Sequence, residues 1–251
     1  AEIATEITGA GGITKTQGGT LILSGQNSYE GGTIIAGGTV QVAEDLNLGD
    51  ASGGLLLDGG SLRVTGSGYA STNRAITIGA GGGGFDIAAA GNVFDLGQDI
   101  VGGGDLIKRG EGALRLTGEN AYGDTFVEDG WLIGDAGSIS GNIANAGLVN
   151  FEQGTSASFA GDIAGLGGTA GMMIKDGLGT LTLEGASNLD WTIAQGGLVT
   201  EATRFGGDVR LDGTAATLTF VDNGNATYAG EISGVGLFLL DGDGTELLVS
   251  A

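Results

Sequence analysis

One phrase is written more than once in this chain. Gly110-Glu111-Gly112-Ala113-Leu114-Arg115-Leu116-Thr117-Gly118-Glu119-Asn120-Ala121-Tyr122 echoes Gln17-Gly18-Gly19-Thr20-Leu21-Ile22-Leu23-Ser24-Gly25-Gln26-Asn27-Ser28-Tyr29. A weaker copy runs from Gly177 to Gly185, and a fourth is barely legible from Gly242 to Val249. A chain that repeats itself is confined to architectures in which one unit stacks on the next, because a single unit cannot bury its own apolar face. Within each copy the leucines alternate with other residues, as Leu21/Leu23, Leu114/Leu116 and Leu181/Leu183. That is the period of two expected of a strand with one face in and one face out.

The same alternation recurs about every ten residues, for example at Thr39–Ala43, Ser61–Thr65, Arg74–Ile78, Asn92–Leu96 and Thr217–Val221. Glycine, asparagine or aspartate separates these runs, and no helical periodicity lasts four turns. Glycine supplies 56 residues and proline none, with 41% of residues hydrophobic. Glycine follows no strict three-residue period, so this is not collagen, and there is enough apolar surface to bury. A closed antiparallel barrel and a parallel β-helix both use such strands. The turns favour the β-helix: Gly37-Gly38, Gly59-Gly60 and Gly130 replace the Asn-Gly pairs of two-residue hairpins. The expected fold is all-β, a right-handed parallel β-helix with about three short strands per coil. Coils of roughly 20–25 residues would give about 11 coils, a rod of about 50 Å at ~4.8 Å per coil.

Charge and missing residue types narrow the chemistry. There are 30 acidic and 9 basic side chains, for a formal charge of −21. No basic stripe exists for a nucleic acid, and anionic membranes are disfavoured; the acidity reads as solubility. Histidine and cysteine are absent. That removes Ser-His and Cys-His nucleophiles and structural zinc sites. The lack of cysteine fits a chain that crosses an oxidising compartment unfolded. Gly79-Ala80-Gly81-Gly82-Gly83-Gly84 has the letters of a dinucleotide fingerprint, but no helix follows it. Gly81-Gly82-Gly83-Gly84-Phe85-Asp86 resembles one calcium-binding nonapeptide without the tandem copy such a site needs. Asp222-Asn223-Gly224-Asn225 and Asp241-Gly242-Asp243-Gly244-Thr245-Glu246 put oxygen ligands in turns, as the surface of an acidic protein does anyway. Asp86, Asp95 and Asp99, with Arg63 and Arg74, are the residues a carboxylate-based polysaccharide enzyme would use. They read here as solvated face. Tyr29 and Tyr122 hold equivalent repeat positions and read as packing. Trp131 and Trp191 read as core cover, with a partner contact as the other reading of an exposed Trp. No catalytic, cofactor or metal residue is assigned.

From Gly103 through Tyr122, the chain resembles the autotransporter-associated β-strand repeat, the passenger-associated transport repeat of Gram-negative type V secretion passengers. The pattern Gly-x-Gly-x-Leu-x-Lys-x-Gly-x-Gly-x-Leu-x-Leu-x-Gly-x-Asn-x-Tyr runs on to a Gly-Gly-x-Leu end. The first copy completes it through Gly37-Gly38-Thr39-Val40, the second through Gly130-Trp131-Leu132. Gln17 replaces a motif glycine, Asp124 stands where the first copy has Gly32, and Ser187–Leu189 replaces the Asn-x-Tyr element. The resemblance is close over residues 9–134, looser over 159–200 and faint over 226–251.

The resemblance implies a parallel β-helical passenger, exported through an outer-membrane barrel of the same precursor and displayed on or released from a Gram-negative cell. Residues 1–251 read as one β-helical passenger fragment. Ala1–Glu6 has neither the basic start nor the apolar core of a signal peptide, and the chain starts and stops within repeat-like sequence. The expected function is a non-enzymatic stalk or adhesin segment. The alternatives are a carbohydrate-active β-helix enzyme and the β-helical arm of a secreted toxin. The expected partners are a host surface or matrix protein or glycan, or other copies on neighbouring cells, with no nucleic acid and no cofactor.

Overall fold

The computed structural model describes residues 1–222, 226–242 and 247–249. Among them there is no α-helix, only short strands and two 3-10 turns at Asp45–Leu48 and Ala202–Arg204. The chain is a parallel β-solenoid of about 12 turns, as the repeats require. It divides into two compact units, Ala1–Leu132 and Ile133–Ala251.

In the first unit one face is a stack of parallel strands. It runs through Glu2–Ile3, Thr20–Leu23, Gly38–Val42, Gly60–Val64, Gly83–Ile87, Leu106–Arg109 and Thr125–Val127. Another stacks Ile13–Lys15, Thr33–Ile35, Leu55–Leu57, Ile76–Ile78 and Ile100–Gly102. Between these two faces lie Thr8–Gly9 under Ser28–Tyr29 and Val93–Leu96 under Ala113–Leu116. The chain thus walks from Gly83–Ile87 through Val93–Leu96 and Ile100–Gly102 before it reaches Leu106–Arg109, directly over its starting strand. The second unit repeats the plan. One stack is Leu148–Glu152, Met172–Asp176, Trp191–Ile193, Val209–Leu211 and Ile232–Gly234. The other is Ala157–Phe159, Thr180–Leu183, Gly196–Thr200, Ala216–Val221 and Leu237–Asp241. A coil takes from 17 residues, Thr180 to Gly197, to 24, Leu148 to Met172.

Because stacking is in register, like positions form ladders up the interior. Val40, Leu62 and Phe85 form one ladder, and Ile35, Leu57 and Ile78 another; all are fully buried. Leu23, Leu114, Leu116, Leu181 and Leu183 are buried as the alternation demands, and Leu21 is half-buried. In the second unit aromatic rings meet in the core: Phe151 lies nearly parallel to Trp191 at 6.0 Å, and Phe220 meets Tyr228, on the next strand, at 5.0 Å.

Candidate functional site

The repeat phrase builds a corner with a buried cation in it. Lys15, Lys108 and Lys175 occupy the same place in the three copies, and each points inward from an otherwise apolar ladder. Lys108 stands over Phe85 and under Val127. Lys175 stands between Phe151 and Ile193. Lys15 stands below Ile35. Lys108 and Lys175 are fully buried.

A charge placed there is tolerable only if its donors are satisfied. Lys108 Nζ donates to the carbonyls of Arg109 (2.7 Å), Gly110 (2.7 Å) and Asp129 (3.1 Å). Lys175 Nζ donates to those of Asp176 (2.9 Å), Gly177 (2.8 Å) and Gln195 (3.1 Å). An ammonium has three donors, and all three are used. Two acceptors belong to the lysine's own corner, and the third comes from the corner one full coil later. Burial pulls both ammonium groups down to about 8; for Lys108 the carboxylates of Asp129 and Asp86 oppose the shift, for Lys175 that of Asp176.

The residue after each distant carbonyl is a glycine with positive φ: Gly38 (+66°), Gly130 (+65°) and Gly196 (+68°). A Cβ on Gly130 would collide with the carbonyl oxygen of Gly110, and one on Gly196 with that of Gly179. Only glycine lets the two corners close to this distance. The first copy departs from the others where its sequence does. Gln17 stands where Gly110 (φ +75°) and Gly177 (φ +80°) turn, and among the described residues none other than glycine has positive φ. The left-handed step moves to Gly19 (φ +79°), and Lys15 donates to Gln17, to Gly18 (3.3 Å) and to Gly37 (3.0 Å), one residue further along its corner.

The residues singled out for chemistry are engaged in the scaffold and do not converge. Arg63 Nη1 bonds the Asp86 carboxylate at 3.1 Å on the outer face of the stack. Asp99 accepts from the backbone N–H of Glu119 at 2.8 Å, and Asp95 faces Arg115 at 3.8 Å. Arg74, expected near an outer cleft, is only 2% exposed. It clamps the Asp45–Leu48 turn, with Nε and Nη2 each 3.0 Å from the Asp45 carboxylate and further bonds to the carbonyls of Gly49, Asp50 and Gly53. Burial pushes Asp45 up, but the bonds from Arg74, Thr72 and Tyr69 outweigh it and hold the carboxyl below its usual range. Each of the chain's nine basic side chains is held in a carbonyl cage or faces a carboxylate.

Several further aspartates, which the sequence did not single out, hold coils together. Asp58 accepts from the N–H of Gly81 (2.7 Å), Asp105 from Asp124 (2.9 Å), Asp162 from Ala186 (2.8 Å), Asp190 from Asp208 (2.9 Å) and Asp208 from Glu231 (2.8 Å). Each bond spans about one coil. Asn27 and Asn120 do the same, for Ile7 at 2.9 Å and Ile100 at 2.7 Å. Tyr29 and Tyr122 are buried with their hydroxyls on Thr33 and Thr125. Trp191 is buried with Nε1 on Ser187, whereas Trp131 is 43% exposed, so the core-cover reading holds for the first and not the second. Among the described residues no group of three or more acidic side chains is placed to hold a metal ion. The Asp222 carboxylate accepts from Ala202 N–H at 3.0 Å. Asn223–Asn225 and Asp243–Glu246 lie outside the described residues.

The passenger-associated-transport-repeat family matches residues 13–42, 106–133 and 173–199. Each match opens on the lysine strand, passes the strand stacked on it and the positive-φ glycine, and closes on the strand that follows. The chain is 37% identical over 266 residues to the adhesin BmaC autotransporter of Brucella suis biovar 1 (strain 1330). That alignment takes in 97% of this chain and 7% of the relative, so the chain spans a small part of the relative's length. No solved structure gives a significant match.

Proposed function

The chain is passenger sequence of the autotransporter class, built on passenger-associated transport repeats, and from that premise we propose that it serves as a non-enzymatic stalk of an adhesin. Its setting is the surface or surroundings of a Gram-negative bacterium. The observation that carries the stalk reading is the use made of polar side chains. Arg74, Asp86, Asp99 and the three repeat lysines bind other parts of the scaffold, mostly one coil away, where an enzyme would turn such groups toward a substrate. Coils joined in this way form a stiff spacer, and stacking each new coil outside the cell opposes backsliding of the chain through the outer membrane. The partner of the complete passenger is a host surface or matrix protein or glycan. Trp131, the exposed aromatic among the described residues, is suited to contact it.

The test uses bacteria displaying the passenger with and without residues 1–251. The stalk reading expects that a repeat segment of equal coil number from another passenger restores adhesion to host cells. Loss of adhesion despite surface display of the substituted passenger would assign specific binding to this segment. Cleavage of an acidic polysaccharide by the purified segment, abolished by Asp86→Asn, would overturn the non-enzymatic reading.

A further inference from the structure

We propose that the lysine of each repeat is a register pin, which fixes the stacking of its coil on the next. The apolar ladders do not fix it alone. Sliding a strand by one residue turns every side chain over, but sliding by two keeps the alternation of inward and outward positions. The ladder around Lys108 holds Leu62, Phe85 and Val127, and the one around Lys175 holds Phe151, Ile193 and Leu211. Such aliphatic and aromatic side chains pack acceptably against more than one neighbour.

A lysine does not. In the observed register its third N–H meets Asp129, Gln195 or Gly37, each followed by the positive-φ glycine that brings the two corners together. In a register slipped by two that carbonyl moves away, and a buried ammonium is left one acceptor short. Stability alone does not account for the residue, because an apolar side chain of similar volume commonly replaces a buried ion at no loss. A single polar group in an apolar seam is the established means by which coiled coils select register. The pin belongs to the repeat and not to one face. Lys15 lies in the stack of Ile13–Lys15 and Ile35, whereas Lys108 lies in the stack of Gly83–Ile87 and Thr125–Val127. This inference rests on the repeat corner and holds whether or not the segment touches a partner.

The chain has no cysteine, so engineered pairs report stacking without interference. Ile107 pairs with Phe126 on the outer face, and Ile107→Cys/Phe126→Cys reads the observed register. Ile107→Cys/Glu128→Cys reads the register slipped by two. With Lys108 intact, the first pair should oxidise in at least about tenfold excess over the second, the discrimination expected of one unsatisfied buried charge. In a Lys108→Met background the two should approach equality, and amide exchange over residues 125–131 should become bimodal. In Lys108→Ala, methylammonium should refill the cage and restore the excess, and tetramethylammonium, which has no N–H, should not. Retention of the excess in Lys108→Met would overturn the proposal. So would a Lys108→Ala protein that misfolds and that methylammonium fails to restore.

Discussion

Replacing Arg74 should release one corner of the first unit and make it insensitive to acid in a specific way. Arg74→Met keeps the side chain's length and removes its donors. The Asp45 carboxylate then loses two charge-assisted bonds of 3.0 Å and keeps those from Tyr69 and Thr72, both 2.9 Å. The carbonyls of Gly49, Asp50 and Gly53 lose donors at 2.8, 2.6 and 3.1 Å. Removing one partner of a buried pair costs about 3–5 kcal/mol. Asp45 is half-exposed, so we place the loss near the lower end, about 3 kcal/mol. Hydrogen exchange read peptide by peptide should show it as faster opening of residues 45–75, with Leu181–Leu183 in the second unit unchanged. The acid dependence follows from the lowered Asp45 carboxyl. A carboxyl lowered on folding contributes stability above its unfolded value and loses it as pH falls through the folded one. Wild type should therefore lose protection over residues 45–75 below about pH 4, the ordinary carboxylate range, and Arg74→Met should lose less. Asp45→Asn with Arg74→Met should cost less than the two single changes summed. Strict additivity, or a cost for Arg74→Met below about 1 kcal/mol, would refute the account of the clamp.

Leu114 is fully buried, and Leu114→Ala should lower unfolding free energy by about 2–5 kcal/mol in urea titration. Lys108 is drawn down to about 8 from 10.5, so between those values the unfolded chain holds a proton that the folded corner has released. The stability difference between wild type and Lys108→Met should shift in favour of wild type by up to about 3 kcal/mol as pH rises across that window, measured by urea titration at each pH. Asp208→Ala removes a cross-coil acceptor for Glu231 N–H and should cost about 1 kcal/mol; Asp212→Ala, on a surface pair with Arg210, should cost less than half of that. With a formal charge of −21, the thermal midpoint should rise in moderate salt, and EDTA alone should leave it unchanged; a fall with EDTA that stoichiometric calcium reverses would mark a structural ion.

Much of the fold was legible because alternation is a local signal. Leu114 and Leu116 announce a strand without knowledge of its neighbours, and the echo of Gln17–Tyr29 in Gly110–Tyr122 announces stacking. Sequence reading misses Ile13–Lys15, Met172–Asp176 and Trp191–Ile193 despite their bulk, and it also misses strands with little side chain to read. Ile143–Asn145, Ala157–Phe159 and Ile163–Gly165 are three residues each and carry alanine, serine or glycine. Their strand state is imposed by the coil before and the coil after. The site was less legible. Lysine and aspartate in an acidic chain read as surface, and period two marks Lys108 as inward only once Leu106 is known to be buried. The usable signal was the recurrence of lysine at one place in the repeat, at Lys15, Lys108 and Lys175. Arg74 left no such mark, because its partners lie in a turn that packs against it through the fold alone.

Parallel stacking also decides how the first unit yields under tension. A pull on its end loads the bonds of one coil against the next, so the strands come away as a spool unwinds. Each of its coils of 19 to 24 residues then releases a contour length of about 60–85 Å. In a force-extension trace this gives many small steps and no single large rip. Lys108 ties Leu106–Arg109 to the corner at Asp129, and that step should be the one that gives way last.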